Sequence, residues 1–208
     1  SRRAKRKFFL NWPLVVRLIL ISLVLLAVAV LLIHSLTAIN QDLGRHLKMG
    51  EIIWQTKHVP QTNLFSYTNP DWPFINHHWL SEVIYYWLSL VIGLKGLIVF
   101  NALLILAAFA LVWRLAWRKD YFIFSTLAAM LGAGLVLERT DIRPESFGFL
   151  LFALFLFILE KNKEKIYWHF WLLVPLTALW VNLHISFIYG LVLIFFFNLI
   201  LLSSFLFI

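Results

Sequence analysis

The sequence predicts an all-α integral membrane protein: about six transmembrane helices, with a long first external loop that carries two interfacial amphipathic helices. Three observations predict it. The chain is 62% hydrophobic and only 13% charged, against about 25% charged in ordinary soluble domains, which leaves too little polar surface to cover a soluble body. The apolar residues gather into runs long enough to be helices. The polar residues gather in one interval, residues 38–95. Disorder, collagen-like chains and coiled coils are excluded by the same composition. Cys is absent, so there is no disulfide framework, thiolate metal site or Cys nucleophile. The net charge of +8 is read as loop charge set by membrane orientation, not as a nucleic-acid footprint.

Taken in order, residues 1–12 form a basic cytoplasmic tail, SRRAKRK and its continuation. The first apolar run, Leu18–Ile33, is too long for a typical signal h-region and lacks a small-x-small cleavage site after it, so it reads as a retained anchor that exits near Thr37. Within residues 38–95, Asp42–Lys57 has an apolar stripe (Leu43, Leu47, Ile52, Ile53, Trp54) and a polar face (Arg45, Lys48, Glu51, Gln55), the pattern of a helix lying in the interface plane. Three prolines between His58 and Pro73 make the next stretch an irregular loop. Trp79–Ile92 is a second interfacial helix, closed by Gly93 and Gly96. Further apolar runs follow at Leu97–Trp113, Tyr121–Leu137, Phe147–Leu159, Trp171–Val181 and Phe187–Ile208. The whole of 1–208 reads as one transmembrane domain. The chain begins with Ser and stops inside an apolar run, as expected of a piece truncated at its C-terminus.

Charge counting decides whether Trp79–Ile92 spans. If it lies on the surface, 12 of the 18 basic residues fall on the cytoplasmic side; if it spans, they divide evenly. The positive-inside rule favours the first topology, with a cytoplasmic N-terminus and residues 38–95 outside.

The external interval holds four of the seven His (His46, His58, His77, His78) together with Asp42, Glu51, Asp71 and Glu82. Asp42 starts a helix where helix one leaves the bilayer. It is either an N-cap, favoured by the helix dipole, or a general base or metal ligand at the membrane surface. His46 lies one turn on, so the two could share a divalent cation, although two ligands make a weak metal signal. His77 and His78 are either site residues or interfacial packing. Arg139 and Arg143 sit at the external mouth of helices three and four, where Arg suits a phosphate because its fork is bidentate. The alternative is pairing with Glu138, Asp141 or Glu145. His184 either faces the same cavity or is a satisfied helix-end residue beside Asn182.

The ordered series Asp42-Leu-Gly-Arg-His46-Leu-Lys-Met-Gly50, Val59-Pro60, Phe65-Ser-Tyr-Thr68, Trp72, His77-His78-Trp79-Leu80, Gly93 and Gly96-Leu97 resembles the N-terminal half of bacterial GT-C membrane glycosyltransferases. The likeness is to uncharacterised relatives of the protein mannosyltransferase and lipid A aminoarabinose transferase group. Arg143-Pro144 and Trp180-Val-Asn182-Leu-His184 look like later signatures of that set. The resemblance covers roughly residues 14–200 and lies in the order of the motifs, none of which is specific alone. It implies transfer of a sugar from a polyprenyl-phosphate donor to a lipid, glycan or protein acceptor on the non-cytoplasmic face of a bacterial-type inner membrane, without nucleic acid. Asp42 is the position that matches the proposed base, and His46, His77, His78, Arg139, Arg143 and His184 are the substrate-binding candidates. The chain departs from the pattern at the second acid: Gln41 precedes Asp42, and Gly44 stands where a DxD-type acid would be. Asp71 or the His77/His78 pair are the substitutes at hand. The alternatives are a non-catalytic lipid-phosphate-binding subunit and a transporter of a lipid-linked substrate. The second is disfavoured because His34 is the only ionisable residue expected mid-bilayer.

Overall fold

The computed structural model describes residues 14–33, 42–117, 121–138 and 140–206. The basic tail, the expected exit near Thr37 and Arg139 lie outside the described residues. The fold is all-helical. In chain order the α-helices are α1 (Leu14–Leu32), α2 (Asp42–Thr56), α3 (Trp79–Ala116), α4 (Phe122–Leu137), α5 (Glu145–Lys161), α6 (Leu173–Leu183) and α7 (Phe187–Leu206). Among the described residues no strand forms, and the loop between α2 and α3 is closed only by an isolated bridge between Thr62 and Pro73.

Local sequence explains the boundaries. The interfacial helix expected at Trp79–Ile92 and the apolar run after it form one long element, α3, broken at Gly93. Its φ of 67° lies in the left-handed region, which glycine enters without steric cost. The run expected at Phe147–Leu159 gains residues at each end and becomes α5, which starts directly after Pro144 with Glu145 in the first turn, where the helix dipole favours an acid. The run expected at Trp171–Val181 is divided. Residues Trp168–Leu172 make a 3₁₀ turn, and α6 then begins two residues before Pro175, whose missing N–H is harmless in a first turn.

Two buried clusters hold the helices together. One joins Leu43 of α2, Tyr85 and Leu97 of α3, Phe147, Leu151 and Phe155 of α5, Trp180 of α6 and Phe197 of α7. The other joins Val28 and Leu32 of α1 to Ile105, Phe109 and Trp113 of α3 and to Ala129 and Ala133 of α4. Trp180 is fully buried and meets Phe155 edge-on with ring centroids 5.1 Å apart, a geometry worth about 0.5–1.5 kcal/mol beyond its buried area. Asn101 anchors the α4–α5 loop by donating to the carbonyls of Thr140 and Asp141, each at 3.1 Å.

Two helices, α1 and α3, are long and apolar enough to cross a membrane; α4, α7 and the 168–183 segment are shorter apolar helices. Their outward faces are apolar too. Leu14 is 68% exposed on α1, Leu131 80% on α4 and Ile200 66% on α7.

Candidate functional site

The polar residues of the α2–α3 region do not cover a surface; several are buried. Leu43, His46, Met49, Gly50 and Ile53 form the buried face of α2, at helical spacing. That face packs on Ser81, Glu82 and Tyr85 of α3, which are entirely shielded from solvent. Gly50 permits the approach, because a Cβ there would overlap the Glu82 carbonyl and the Tyr86 Cβ.

Glu82 is the hub. His46 Nδ1 lies 2.9 Å from Glu82 Oε1. His78 Nε2 approaches the same oxygen at 3.3 Å but is not aligned for a hydrogen bond, so this buried nitrogen has no hydrogen-bond partner among the described residues. Asn76 Nδ2 donates to Glu82 Oε2, and Asn76 Oδ1 accepts the His78 backbone N–H. Burial by itself pushes the Glu82 carboxyl up, but the bond from His46, the close approach of the His78 imidazole and the bond from Asn76 outweigh it and hold the group down at about 2. His77 packs edge-on to His78 with centroids 4.6 Å apart, and its imidazole is pushed down by burial and then by the His78 charge.

A second constellation lies beside the first. Arg143 Nη2 stands 3.7 Å from Asp42 Oδ2 and 3.7 Å from Asp141 Oδ2, close enough for ion pairing but too long for hydrogen bonds. Arg143 Nε is buried and has no hydrogen-bond partner among the described residues. The Arg143 backbone is pinned by Tyr85, whose hydroxyl donates to its carbonyl at 2.7 Å. Burial and then the Glu145 charge push the Tyr85 phenol up, so it remains a donor.

The third constellation ends α6. Trp180 Nε1 can only donate, and it donates to Ser186 Oγ at 3.0 Å. The Ser186 hydroxyl proton then goes to His184 Nδ1 at 2.8 Å, and the Ser186 backbone N–H donates to the same nitrogen. This assigns Nδ1 as acceptor and leaves the ring proton on Nε2. Burial, then the charges of His78 and His77, lower the His184 imidazole to about 4. Trp79 Nε1 donates to Asn182 Oδ1 at 2.9 Å, and the Ser81 hydroxyl reaches the Leu183 carbonyl, so the head of α3 is tied to the end of α6.

His184 and Ser186 sit with Glu145, Gly148 and Tyr189 on the polar part of a cavity of about 850 Å³. The rest of its wall is apolar and runs along α3, α4 and α5 through Phe109, Trp113, Ala129 and Phe152.

The structure therefore brings His46, His77, His78 and His184 into one electrostatically linked group and sets Asp42 against Arg143. Asp42 and His46, the pair expected to share a cation, have different partners: Asp42 is half-exposed beside Arg143, and His46 is buried on Glu82. Of the three acids offered as partners of Arg143, Asp141 pairs with it, and Asp42 joins in. Asp71 is exposed in the loop. Sequence reasoning assigned no role to Glu82, and the His78/Glu82 spacing of one helical turn was the signal that could have found it.

Fold and site together define an all-helical protein with a buried His–Glu cluster at one end and an apolar cavity along its helices. Compared with protein-family models, with curated proteins and with solved structures, the chain has no match.

Proposed function

We propose that this protein is a membrane glycosyltransferase of GT-C type that uses a polyprenyl-phosphate-linked sugar donor. The apposition of the Asp42 carboxylate and the Arg143 guanidinium at 3.7 Å, two residues from the Glu145 end of a long apolar cavity, carries the reading. The apolar outward faces of α1, α4 and α7 suit a bilayer. In the topology set by the basic residues, about six helices cross it and the α2–α3 region lies on the non-cytoplasmic surface.

The chemistry follows from the residue types. The acceptor hydroxyl attacks the anomeric carbon, its proton passes to Asp42, and the bond from that carbon to the phosphate oxygen breaks. The electron pair leaves with the polyprenyl phosphate, and Arg143, with its unspent buried Nε donor, stabilises the developing charge. The cavity takes the carrier's hydrocarbon end, and His184, neutral with its proton on Nε2, is a donor at the polar end.

The test is transfer of a radiolabelled sugar from a polyprenyl-phosphate donor in membranes containing the protein. Asp42→Asn is expected to reduce transfer by about 10²–10⁴-fold, the range for a lost general base, with expression and folding intact. Wild-type rates in that variant refute the assignment of the base. Retained lipid-phosphate binding without transfer by the wild type identifies a binding subunit instead.

A further inference from the structure

We propose that His46, His78 and Glu82 bind a divalent transition-metal ion of the zinc class at the junction of α2 and α3. The site is separate from the Asp42–Arg143 pair and does not depend on the transfer reading. The three ligand atoms lie within 4.8 Å of one another, and all three residues are buried.

The spacing of the two nitrogens about the carboxylate oxygen fits a coordination shell. Zinc bonds of about 2.0–2.2 Å in a tetrahedron place neighbouring ligand atoms about 3.3 Å apart. The two nitrogens stand 2.9 and 3.3 Å from Glu82 Oε1. A carboxylate oxygen can accept two N–H bonds, yet only His46 is aligned for one. Here both rings converge on a single carboxylate oxygen, and the buried His78 nitrogen nearest it is misaligned for a bond. Two imidazoles and a carboxylate are the donor set of zinc sites with an open fourth position, and imidazole suits zinc better than it suits magnesium or calcium.

The surroundings fit as well. His78 and Glu82 are one turn apart on the α3 head, and the third ligand comes from α2, which Gly50 allows to lie against Glu82. Asn76 holds the other carboxylate oxygen, the outer-shell bond that orients a ligating carboxylate. An ion here would bridge two elements whose loop, residues 57–78, has little regular structure.

The experiment uses the full chain purified in detergent, loaded with Zn²⁺ and dialysed against metal-free buffer, with metal counted by mass spectrometry. One zinc per chain is expected in the wild type, with loss in His46→Ala, His78→Ala and Glu82→Gln. His77→Ala, which alters a neighbour outside the ligand set, keeps the ion. Asn76→Ala weakens affinity by about 10–100-fold. Replacement of zinc by Co²⁺ in the wild type yields visible d–d bands of low-symmetry coordination, a readout that needs no variant to fold. Folded wild type that retains no zinc and shows no cobalt bands overturns the proposal, as does full metal content in the three ligand variants. Sugar transfer by a wild type that retains no zinc and shows no cobalt bands overturns this site and leaves the transfer reading standing; bound zinc without transfer does the reverse.

Discussion

The α2–α3 junction and the cavity along α3, α4 and α5 are built from opposite materials. At the junction, Glu82, Ser81, Asn76, His46 and His78 are buried side by side, and the helix backbones touch at Gly50. Along the cavity the wall is Ala, Phe, Trp and Val, and a Cβ added at Gly132 would meet nothing within 4 Å. The junction derives its rigidity from polar groups that have few alternative arrangements, since any one left without a partner is costly. The cavity keeps space open, and its apolar wall makes few directional demands. One region specifies a geometry and the other leaves space open.

The largest effect that would break this contrast is expected from Glu82→Ala. It strips His46 and Asn76 of their shared acceptor, and removing one member of a buried ionic cluster costs about 3–5 kcal/mol, readable as a lowered unfolding midpoint in detergent. Gly50→Ala comes next. The new methyl has no room against the Glu82 carbonyl, and overpacking of this kind costs about 1–3 kcal/mol, to be measured the same way.

Acid sharpens the comparison. The His184 imidazole is lowered from 6.5 to about 4 in the folded protein, so the unfolded chain takes up its proton first. The stability this group contributes is fully present above pH 6.5 and is lost as pH falls toward about 4. Glu82, lowered to about 2 from 4.5, loses its contribution only in a lower window. Histidine NMR should show His184 neutral throughout the upper window, while melting temperature declines there.

Gly132→Leu tests the cavity itself. Stability should rise by about 0.5–1 kcal/mol, because a helix-interior glycine is replaced by a better helix former and the side chain enters open space, yet binding of a long-chain lipid phosphate should fall. Unchanged binding would show that this wall holds no chain. The smallest effect is expected from Lys48→Ala, which removes an exposed pair with Glu51 at 2.8 Å and costs about 0.3–0.5 kcal/mol.

Much of the fold was legible before any coordinates. The amphipathic stripe from Asp42 and the break at Gly93 are local events, set by residues within a turn or two of each other, whereas the start of α5 at Glu145 fell inside the stretch read as the loop before Phe147. The 3₁₀ entry to α6 was less legible, because Trp168–Leu172 reads as apolar run and nothing nearby marks where its geometry changes. The sites divide the same way. Asp42, His46, His77, His78, Arg143 and His184 stood out as scarce polar residues in an apolar chain.

The sequence by itself determined most of the helical segments, the break at Gly93 and which polar residues are too few to be ornamental, because apolar run length, Gly and Pro act over short distances. Only the tertiary structure decided that His46 belongs to Glu82, 36 residues away, and that Asp42 belongs to Arg143. The pairing depends on how closely α2 can lie on α3, and that is fixed by a side chain Gly50 does not have.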